Sequence, residues 1–354
     1  MAGHSDNVNL QEVHDFLTDL AFKAGEIITN ALPEINSSDS KKNSMWSFDS
    51  HCSSRMDLVI VQDPSVDEPN SDQRRCWPGY RVWPSCGEYG ILCIKREISC
   101  LWVWRLFRIF FFLPNLPRLS SRNLTWFSFH GEETYDPTHP LTNNPTFIVD
   151  PIDGTVNFVH GFPFACISLG FAVDRQPVVG VVFNPFTNTL YSAIKGQGAY
   201  LNQTTKLPLR GSRVEPLNGL QNALIAVEWG SEREGNNWQT KIQTFESLGK
   251  TRENGGAMVH SMRSLGSAAL NICAVASGSL DLYWEGGCWA WDVCAGWIIL
   301  LEAGGILVGG NPGVWNAELD GRKYLAVRPS PNGEGQQAIV EEFWSHVRGR
   351  LEYQ

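Results

Sequence analysis

Two aspartates that stand three residues apart are the first candidates for chemistry in this sequence. Asp150 and Asp153 flank Pro151 in the run FIVDPIDGT, directly after an apolar stretch that predicts a strand. A strand that ends at Asp150 and turns through Pro151 and Gly154 into a short helix would place both carboxylates at one rim. Carboxylates bind hard divalent cations, and N–H groups at the start of a helix bind phosphate oxygens. The pattern therefore predicts a site for a phosphate ester and Mg²⁺, bordered by the backbone N–H groups of Gly154 and Thr155.

Two further acidic motifs extend this pair to a set of four carboxylates. Glu132 stands in the run GEE upstream, and Asp292 stands in the run WDV at the start of an apolar segment that predicts a helix. Four acids support a two-metal site, in which the metals generate hydroxide and stabilise the leaving oxygen, and without cations they would repel one another. Each motif alone is also typical of ordinary structure, since Asp caps helices and paired Glu residues are usually solvated. Their combination predicts phosphoryl chemistry.

The elements that must position these acids follow from hydrophobic periodicity. Apolar residues at helical spacing predict an amphipathic helix over residues 9–31, which Pro33 ends. Strands are predicted at 146–150, 165–173, 177–183, 189–193, 223–228, 280–284, 305–308 and 324–327, and helices at about 265–277 and 292–303. This alternation predicts a layered α/β architecture, with a first part over residues 1–215 and a second over 216–354.

Composition excludes several other classes of function. The chain has 354 residues, a formal net charge of −9 and no block of Lys or Arg, so nucleic acid is not an expected partner. We expect no membrane span, because the most apolar stretch, residues 101–113, is shorter than the roughly 20 residues that a bilayer requires. The absence of a secretory signal pattern favours the cytoplasm. Nine cysteines without C-x-x-C spacing predict free thiols rather than a disulfide or zinc framework.

The motifs GEE, FIVDPIDGTVNF and WDV together resemble the inositol monophosphatase family, whose members are Mg²⁺-dependent, lithium-sensitive phosphatases. The resemblance runs from about residue 129 to 330 and implies an α+β or α/β fold, a layered αβαβα sandwich. It implies metal ligation by Glu132, Asp150, the carbonyl of Ile152, Asp153 and Asp292. It also implies that Thr155 and Glu132 orient the attacking water, and that the phosphate rests on the amides of Gly154 and Thr155, helped by Asp153.

Matches in the second half concern the substrate. The run RSLGSAA resembles the family segment that lines the substrate ring, which implies substrate contacts by Gly266, Ser267 and Ala268. Glu285 stands seven residues before Asp292, where the family uses a carboxylate to accept substrate hydroxyls. Small residues at 266–269 are also typical of close helix packing, and Glu285 could be a simple strand-end acid. The family resemblance further implies a homodimer, and a fainter one connects the chain with fungal proteins of quinate utilisation.

The region before residue 129 fits the family less well. The runs KKNS at 41–44 and DLVIVQD at 57–63 resemble a family segment that is continuous, whereas about eleven residues separate them here. Asp63, its last residue, is a candidate support for a third metal and for the water. Residues 46–128 hold six of the fourteen tryptophans and five of the nine cysteines without periodicity. This stretch is either an insertion near the site or mis-translated sequence from the gene model, and we favour the second explanation.

These observations predict a Mg²⁺-dependent phosphomonoesterase in which metal-activated water attacks inositol monophosphate or a related polyol or sugar phosphate. No covalent intermediate is expected, because the motifs place no Ser, Cys or His nucleophile. Two alternatives stay open at this stage. One is a bisphosphate nucleotidase or sugar bisphosphatase of the same superfamily, and the other is a non-catalytic regulatory homologue.

Overall fold

The computed structural model describes residues 8–30 and 127–353. Its helices are α1 (Leu10–Asn30), α2 (Thr155–Val159), α3 (Gly235–Gly249), α4 (Ala268–Ser277), α5 (Ala290–Glu302) and α6 (Gln336–His346). The strands up to residue 206 are β1 (Ser128–Gly131), β2 (Thr146–Asp153), β3 (Cys166–Val173), β4 (Gln176–Asn184), β5 (Thr189–Ile194), β6 (Gly198–Leu201) and β7 (Thr205–Lys206). The later strands are β8 (Leu224–Val227), β9 (Ser261–Arg263), β10 (Leu282–Gly286), β11 (Ile306–Gly309) and β12 (Lys323–Val327).

These strands form two sheets. The first has seven strands in sequence order, β1 to β7, all antiparallel except for the parallel pair of β1 and β2. The second has five strands in the order β11-β12-β10-β8-β9, in which β8 runs parallel to β9 and β10. The division of the chain at residue 215 stays a prediction.

Helices cover both faces of both sheets. On the outer face of the first sheet, α1 buries Leu17, Ala21 and Ile28 against apolar strand residues such as Phe171. Helices α4 and α5 fill the space between the sheets with small and aliphatic side chains. On the outer face of the second sheet, α6 packs Phe343 and its neighbours against the strands, beside Leu248 of α3. Five layers alternate as α, β, α, β and α, which confirms the predicted sandwich.

The approach of α5 to the first sheet is unusually close and depends on two glycines. A Cβ atom on Gly170 of β3 would lie 2.5 Å from the Cys294 Sγ, and one on Gly180 of β4 would lie 2.4 Å from the Ala295 carbonyl oxygen. The Ser168 hydroxyl, on the strand β3, also donates a hydrogen bond of 3.0 Å to the carbonyl of Trp291. The first turn of α5 is therefore held directly on the strand that pairs with β2.

The structure corrects several sequence-based boundaries. Strand β2 continues to Asp153 instead of ending at Asp150, and α5 begins at Ala290, so Asp292 is its third residue rather than its cap. The helix predicted at about 265 begins at Ala268. Helices α3 and α6 and strands β1, β6, β7 and β9 were not predicted. The helix over 9–31 is confirmed as α1, Leu10–Asn30.

Candidate functional site

The carboxyl end of β2 brings two acids to the same side of the sheet. In a regular strand, residues three apart point to opposite faces. Here Asp150 lies opposite Ser168 and Asp153 lies opposite Cys166, so three steps along β2 correspond to two along β3. This bulge contains one extra residue next to Pro151, so the side chains of Asp150 and Asp153 point to the same side of the sheet. The motif DPID therefore presents both carboxylates to one site although its spacing alone would separate them.

Several hydrogen bonds hold Asp153 from one direction. Its Oδ2 accepts hydrogen bonds from the Ser267 hydroxyl at 2.6 Å and from the Ala269 N–H at 2.8 Å, both at the start of α4. Burial raises the pKa of Asp153 to about 6, although these two donors oppose the shift, and the negative charge of Glu132 adds to it. The ionised form is therefore costly in this position unless a positive charge lies nearby.

Asp292 is held at the start of α5. Its Oδ2 accepts a hydrogen bond of 2.7 Å from the N–H of Trp289, the residue that caps the helix. Burial raises the pKa of Asp292 well above its ordinary value, and the negative charge of Asp153 is the second cause. The partial positive charge of a helix start favours an anion here but does not offset both effects.

Asp150, Asp153 and Asp292 converge on one point. One carboxylate oxygen from each lies within 4.8 Å of the others, and Asp150 and Asp153 are buried. Asp150 also accepts a hydrogen bond of 2.9 Å from the Ile152 N–H, which fixes its orientation. Three oxygen ligands at this spacing match the chemistry of a hard divalent cation, which would also neutralise their mutual repulsion. The donor set fits such an ion.

Glu132 lies near this cluster without belonging to it. It begins a 3₁₀ turn, Glu132–Thr134, directly after the edge strand β1. Its negative charge raises the pKa values of Asp153 and Asp292, which places it within electrostatic reach of both. The structure thus gathers three of the four predicted acids and sets the fourth beside them, and the assignment of all four as metal ligands stays a prediction.

The turn after β2 arranges the remaining predicted groups. The Thr155 hydroxyl donates a hydrogen bond of 3.1 Å to the carbonyl oxygen of Ile152. Gly154 has a φ of +84°, and a Cβ there would lie 2.9 Å from the Phe164 carbonyl oxygen. Only glycine fits this left-handed and crowded position, which sets the start of α2 at Thr155. The predicted amide pair at 154–155 therefore adjoins the acids.

The segment 264–268 is fixed by residues that the sequence motifs did not reveal. The Glu228 Oε1 accepts hydrogen bonds from the N–H groups of Leu265 and Gly266, at 2.7 and 2.9 Å. From the other side, the Asn157 side chain donates a hydrogen bond of 2.6 Å to the Leu265 carbonyl. This support delivers Ser267 to Asp153. Glu228 ends a predicted strand and Asn157 lies in the family motif, but neither position alone indicated this role.

Glu285 occupies the end of β10 in a polar environment. The Tyr283 hydroxyl donates a hydrogen bond to its carboxylate, and the ammonium group of the buried Lys241 donates one of 2.8 Å to the neighbouring Gly286 carbonyl. Burial raises the pKa of Glu285 to about 7, the negative charge of Glu228 adds to this, and Lys241 opposes it. A carboxyl group near its midpoint at neutral pH can both accept and donate hydrogen bonds to hydroxyl groups.

Some predictions fall on other parts of the chain. Asp63 and nearly all of the stretch 46–128 lie outside the described residues, as does the apolar segment 101–113. No described helix is long and apolar enough to cross a membrane. The cysteines at positions 166, 273, 288 and 294 are free and buried.

Comparison with known proteins supports the sequence motifs. Residues 118–348 match the model of the inositol monophosphatase family. Inositol monophosphatase 2 of Saccharomyces cerevisiae is 58% identical over 232 residues, which cover 64% of this chain and 76% of the yeast protein. Protein qutG of Emericella nidulans is 41% identical over 251 residues, with coverage of 64% and 76%. A solved inositol monophosphatase from Anabaena (Nostoc) aligns with a TM-score of 0.59 at 20% identity over 96% of each chain, which shows the fold alone.

Proposed function

Because the chain belongs to the inositol monophosphatase family and is a phosphoric monoester hydrolase, we propose that it hydrolyses inositol monophosphate or a closely related polyol phosphate with the help of Mg²⁺. The observation that carries the proposal is the convergence of Asp150, Asp153 and Asp292 within 4.8 Å. This cluster stands beside the Gly154–Thr155 turn, which would receive the phosphate, and Glu285 at the end of β10, which would receive the ring.

The acids Asp150, Asp153 and Asp292 would hold Mg²⁺, with Glu132 and the Ile152 carbonyl as further oxygen ligands. The bound ion supplies positive charge that lowers the pKa of water and stabilises the leaving oxygen. Hydrogen bonds from Ser267 and Ala269 orient Asp153, and one from the Trp289 N–H orients Asp292. These contacts would hold the carboxylates in the arrangement that a cation requires before it arrives.

Thr155 and Glu132 would orient the water that attacks phosphorus. The Thr155 proton is committed to the Ile152 carbonyl, so the hydroxyl oxygen presents its lone pairs as acceptors. A water between this oxygen and the Glu132 carboxylate would donate both protons and direct its own lone pair outward. That geometry suits in-line attack on a phosphate resting on the amides of residues 154 and 155.

The substrate ring would lie against Gly266, Ser267 and Ala268, with its hydroxyl groups bonded to Glu285. A group with a pKa of about 7 can accept from one hydroxyl and donate to the next, which favours a polyol over an apolar alcohol. The likeness to qutG and to the quinic acid degradation cluster protein x of Neurospora crassa makes other polyhydroxylated phosphates worth including as substrates.

A panel of phosphate esters tests the proposal. Purified protein should release phosphate from inositol 1-phosphate only with Mg²⁺, and added Li⁺ should inhibit it. A nucleoside 3′,5′-bisphosphate and fructose 1,6-bisphosphate serve as the matched alternatives in the same assay. A higher kcat/KM for either would replace the polyol assignment, whereas no turnover of any ester at any Mg²⁺ concentration would favour a non-catalytic homologue.

A further inference from the structure

A cluster of aromatic side chains connects the segment that carries Glu132 with the helix that carries Asp292. We call Tyr135, Trp289 and Trp291 the aromatic clamp. The Tyr135 ring lies 4.7 Å from the Trp289 ring and 5.3 Å from the Trp291 ring, measured between centroids. The two tryptophans are stacked at 5.2 Å with planes 15° apart. Such ring pairs are favourable contacts beyond the apolar area that they bury.

One end of the aromatic clamp is bonded to the backbone of Glu132, and the other end is bonded to the carboxylate of Asp292. The Tyr135 N–H donates a hydrogen bond of 3.5 Å to the carbonyl of Glu132 across the 3₁₀ turn. The Trp289 N–H donates one of 2.7 Å to the Asp292 Oδ2. A displacement of either ring would therefore be transmitted through one short turn of backbone to an acid.

Arg322, the residue directly before β12, packs against the aromatic clamp. Its guanidinium carbon lies 3.6 Å from the centroid of the Trp289 ring, and its Nη2 donates a hydrogen bond of 3.1 Å to the Gly287 carbonyl. A planar cation over an indole face is a favourable electrostatic contact. Trp289 is therefore the fixed partner, and Tyr135 is the residue that is held against it.

Glu132 lies on a short edge segment that reaches the buried part of the site through the pairing of β1 with β2 and through aromatic contacts. Strand β1 has four residues, lies at the edge of its sheet and pairs with β2 among the residues that the structure describes. The three other acids stand on β2 and at the start of α5, which are buried between neighbouring elements. Tyr135 links the edge segment to that buried frame, together with His130 of β1, whose ring lies 5.4 Å from the Trp291 ring and 5.6 Å from the Tyr135 ring.

We propose that Tyr135 is a positioning residue that holds the Glu132 segment beside the three aspartates and thereby sets the affinity of the site for divalent cations. The proposal rests on the proposed metal-dependent function. Loss of the ring should weaken cation binding more than it lowers turnover at saturating cation, because the carboxylates themselves remain. The Tyr135 hydroxyl is not required, since the contacts with Trp289 and Trp291 are made by the ring.

The test compares Tyr135→Ala with Tyr135→Phe in the full-length protein. Free Mn²⁺ is followed by electron paramagnetic resonance during titration, and phosphate release is measured against Mg²⁺ concentration. Tyr135→Ala should raise the Mn²⁺ dissociation constant and the half-activating Mg²⁺ concentration about tenfold, the size seen when metal ligands lose supporting contacts. Tyr135→Phe should stay within about twofold of the wild type, since it keeps the ring. Trp315→Ala, which removes an exposed aromatic contact with Trp344 in the outer layer, should leave both values unchanged.

The outcomes separate this proposal from the proposed function. Unchanged Mn²⁺ affinity in Tyr135→Ala would overturn the positioning role, as would wild-type protein that binds no Mn²⁺. Wild-type protein that binds Mn²⁺ but hydrolyses no ester would refute the function, while the Mn²⁺ titration would still decide the role of Tyr135. The side chain is 38% exposed, so the variant should fold. If it does not, Tyr135→Leu keeps apolar volume without the aromatic ring and should show the same weakened binding.

Discussion

The acidic residues at the two ends of strand β10 differ in their electrostatic surroundings. Just before the strand, the Asp281 Oδ1 accepts a hydrogen bond of 2.6 Å from the Arg328 Nε, and its Oδ2 accepts one of 2.8 Å from the Leu224 N–H. At the other end, Glu285 lies within electrostatic reach of Asp153 and Asp292. Among the described residues, no Lys or Arg forms an ion pair with Asp153 or Asp292.

This difference indicates which region is structural and which is functional. Asp281 has a cation within the chain, and Arg328 is further satisfied by the carbonyls of Glu215 and Pro329. The acids of the other region raise one another's pKa values, so the folded chain keeps an unfavourable concentration of negative charge. Such a cost is retained where an external cation offsets it. The comparison yields three predictions, in order of decreasing effect.

Asp150→Asn should separate activity from stability. The Asn oxygen can still accept the Ile152 N–H, but the cation loses a charged ligand, so kcat/KM should fall about 10³-fold, which corresponds to several kcal/mol. The unfolding free energy in EDTA should stay equal or rise, because repulsion decreases. Phosphate release and urea unfolding check the two parts. Activity that persists with unchanged Mg²⁺ dependence would show that Asp150 is not a ligand.

Asp281→Asn should show the reverse pattern. It leaves the Arg328 guanidinium without its anion, so we expect the unfolding free energy to fall by about 2 kcal/mol, less than for a fully buried pair because both side chains keep some exposure. The half-activating Mg²⁺ concentration should not change. Glu246→Gln, which breaks the exposed pair with Lys250, is the control and should cost less than about 1 kcal/mol. A shift in Mg²⁺ dependence for Asp281→Asn would contradict the division into two regions.

The pH dependence of cation binding gives the smallest effect. Because the pKa of Asp153 is raised to about 6, the folded protein holds a proton there below that pH, and Mg²⁺ must displace it. The half-activating Mg²⁺ concentration should therefore rise as the pH falls, by about fourfold between pH 7.5 and pH 5.5, which is the change in the ionised fraction of this one group. Mn²⁺ titration at both values provides the check without turnover. Equal affinity at the two pH values would mean that the acids stay ionised without a cation.

Local patterns predicted much of the fold because the hydrophobic periodicity of many strands and helices can be recognised in the sequence. The helix α1 and the strands β3, β4, β5, β8 and β12 lie close to their predicted positions. Helix α3 and the short strands β1, β6, β7 and β9 were not predicted. Helix α3 buries polar groups such as Lys241 and Thr244, so its pattern is not amphipathic in the usual sense. Tertiary hydrogen bonds, not periodicity, stabilise that burial.

The residues of the candidate site were likewise predicted from the sequence only in part. Asp150, Asp153 and Asp292 were identified from their motifs, and the structure brings them together. Glu228 and Tyr135 were not, because their roles consist of contacts with segments more than thirty residues or more than a hundred residues away, respectively. Such contacts leave no local spacing in the sequence.

By itself, the sequence determined which residue types could bind a cation and a phosphate, since the motifs DPIDGT, GEE and WDV specify charge and turn chemistry locally. Only the tertiary structure decided how they combine. The bulge in β2 turned Asp150 and Asp153 to one side, and the glycines at 170 and 180 let α5 approach closely enough to add Asp292. Convergence of this kind depends on packing between distant segments, because a carboxylate's neighbours are set by the path of the whole chain.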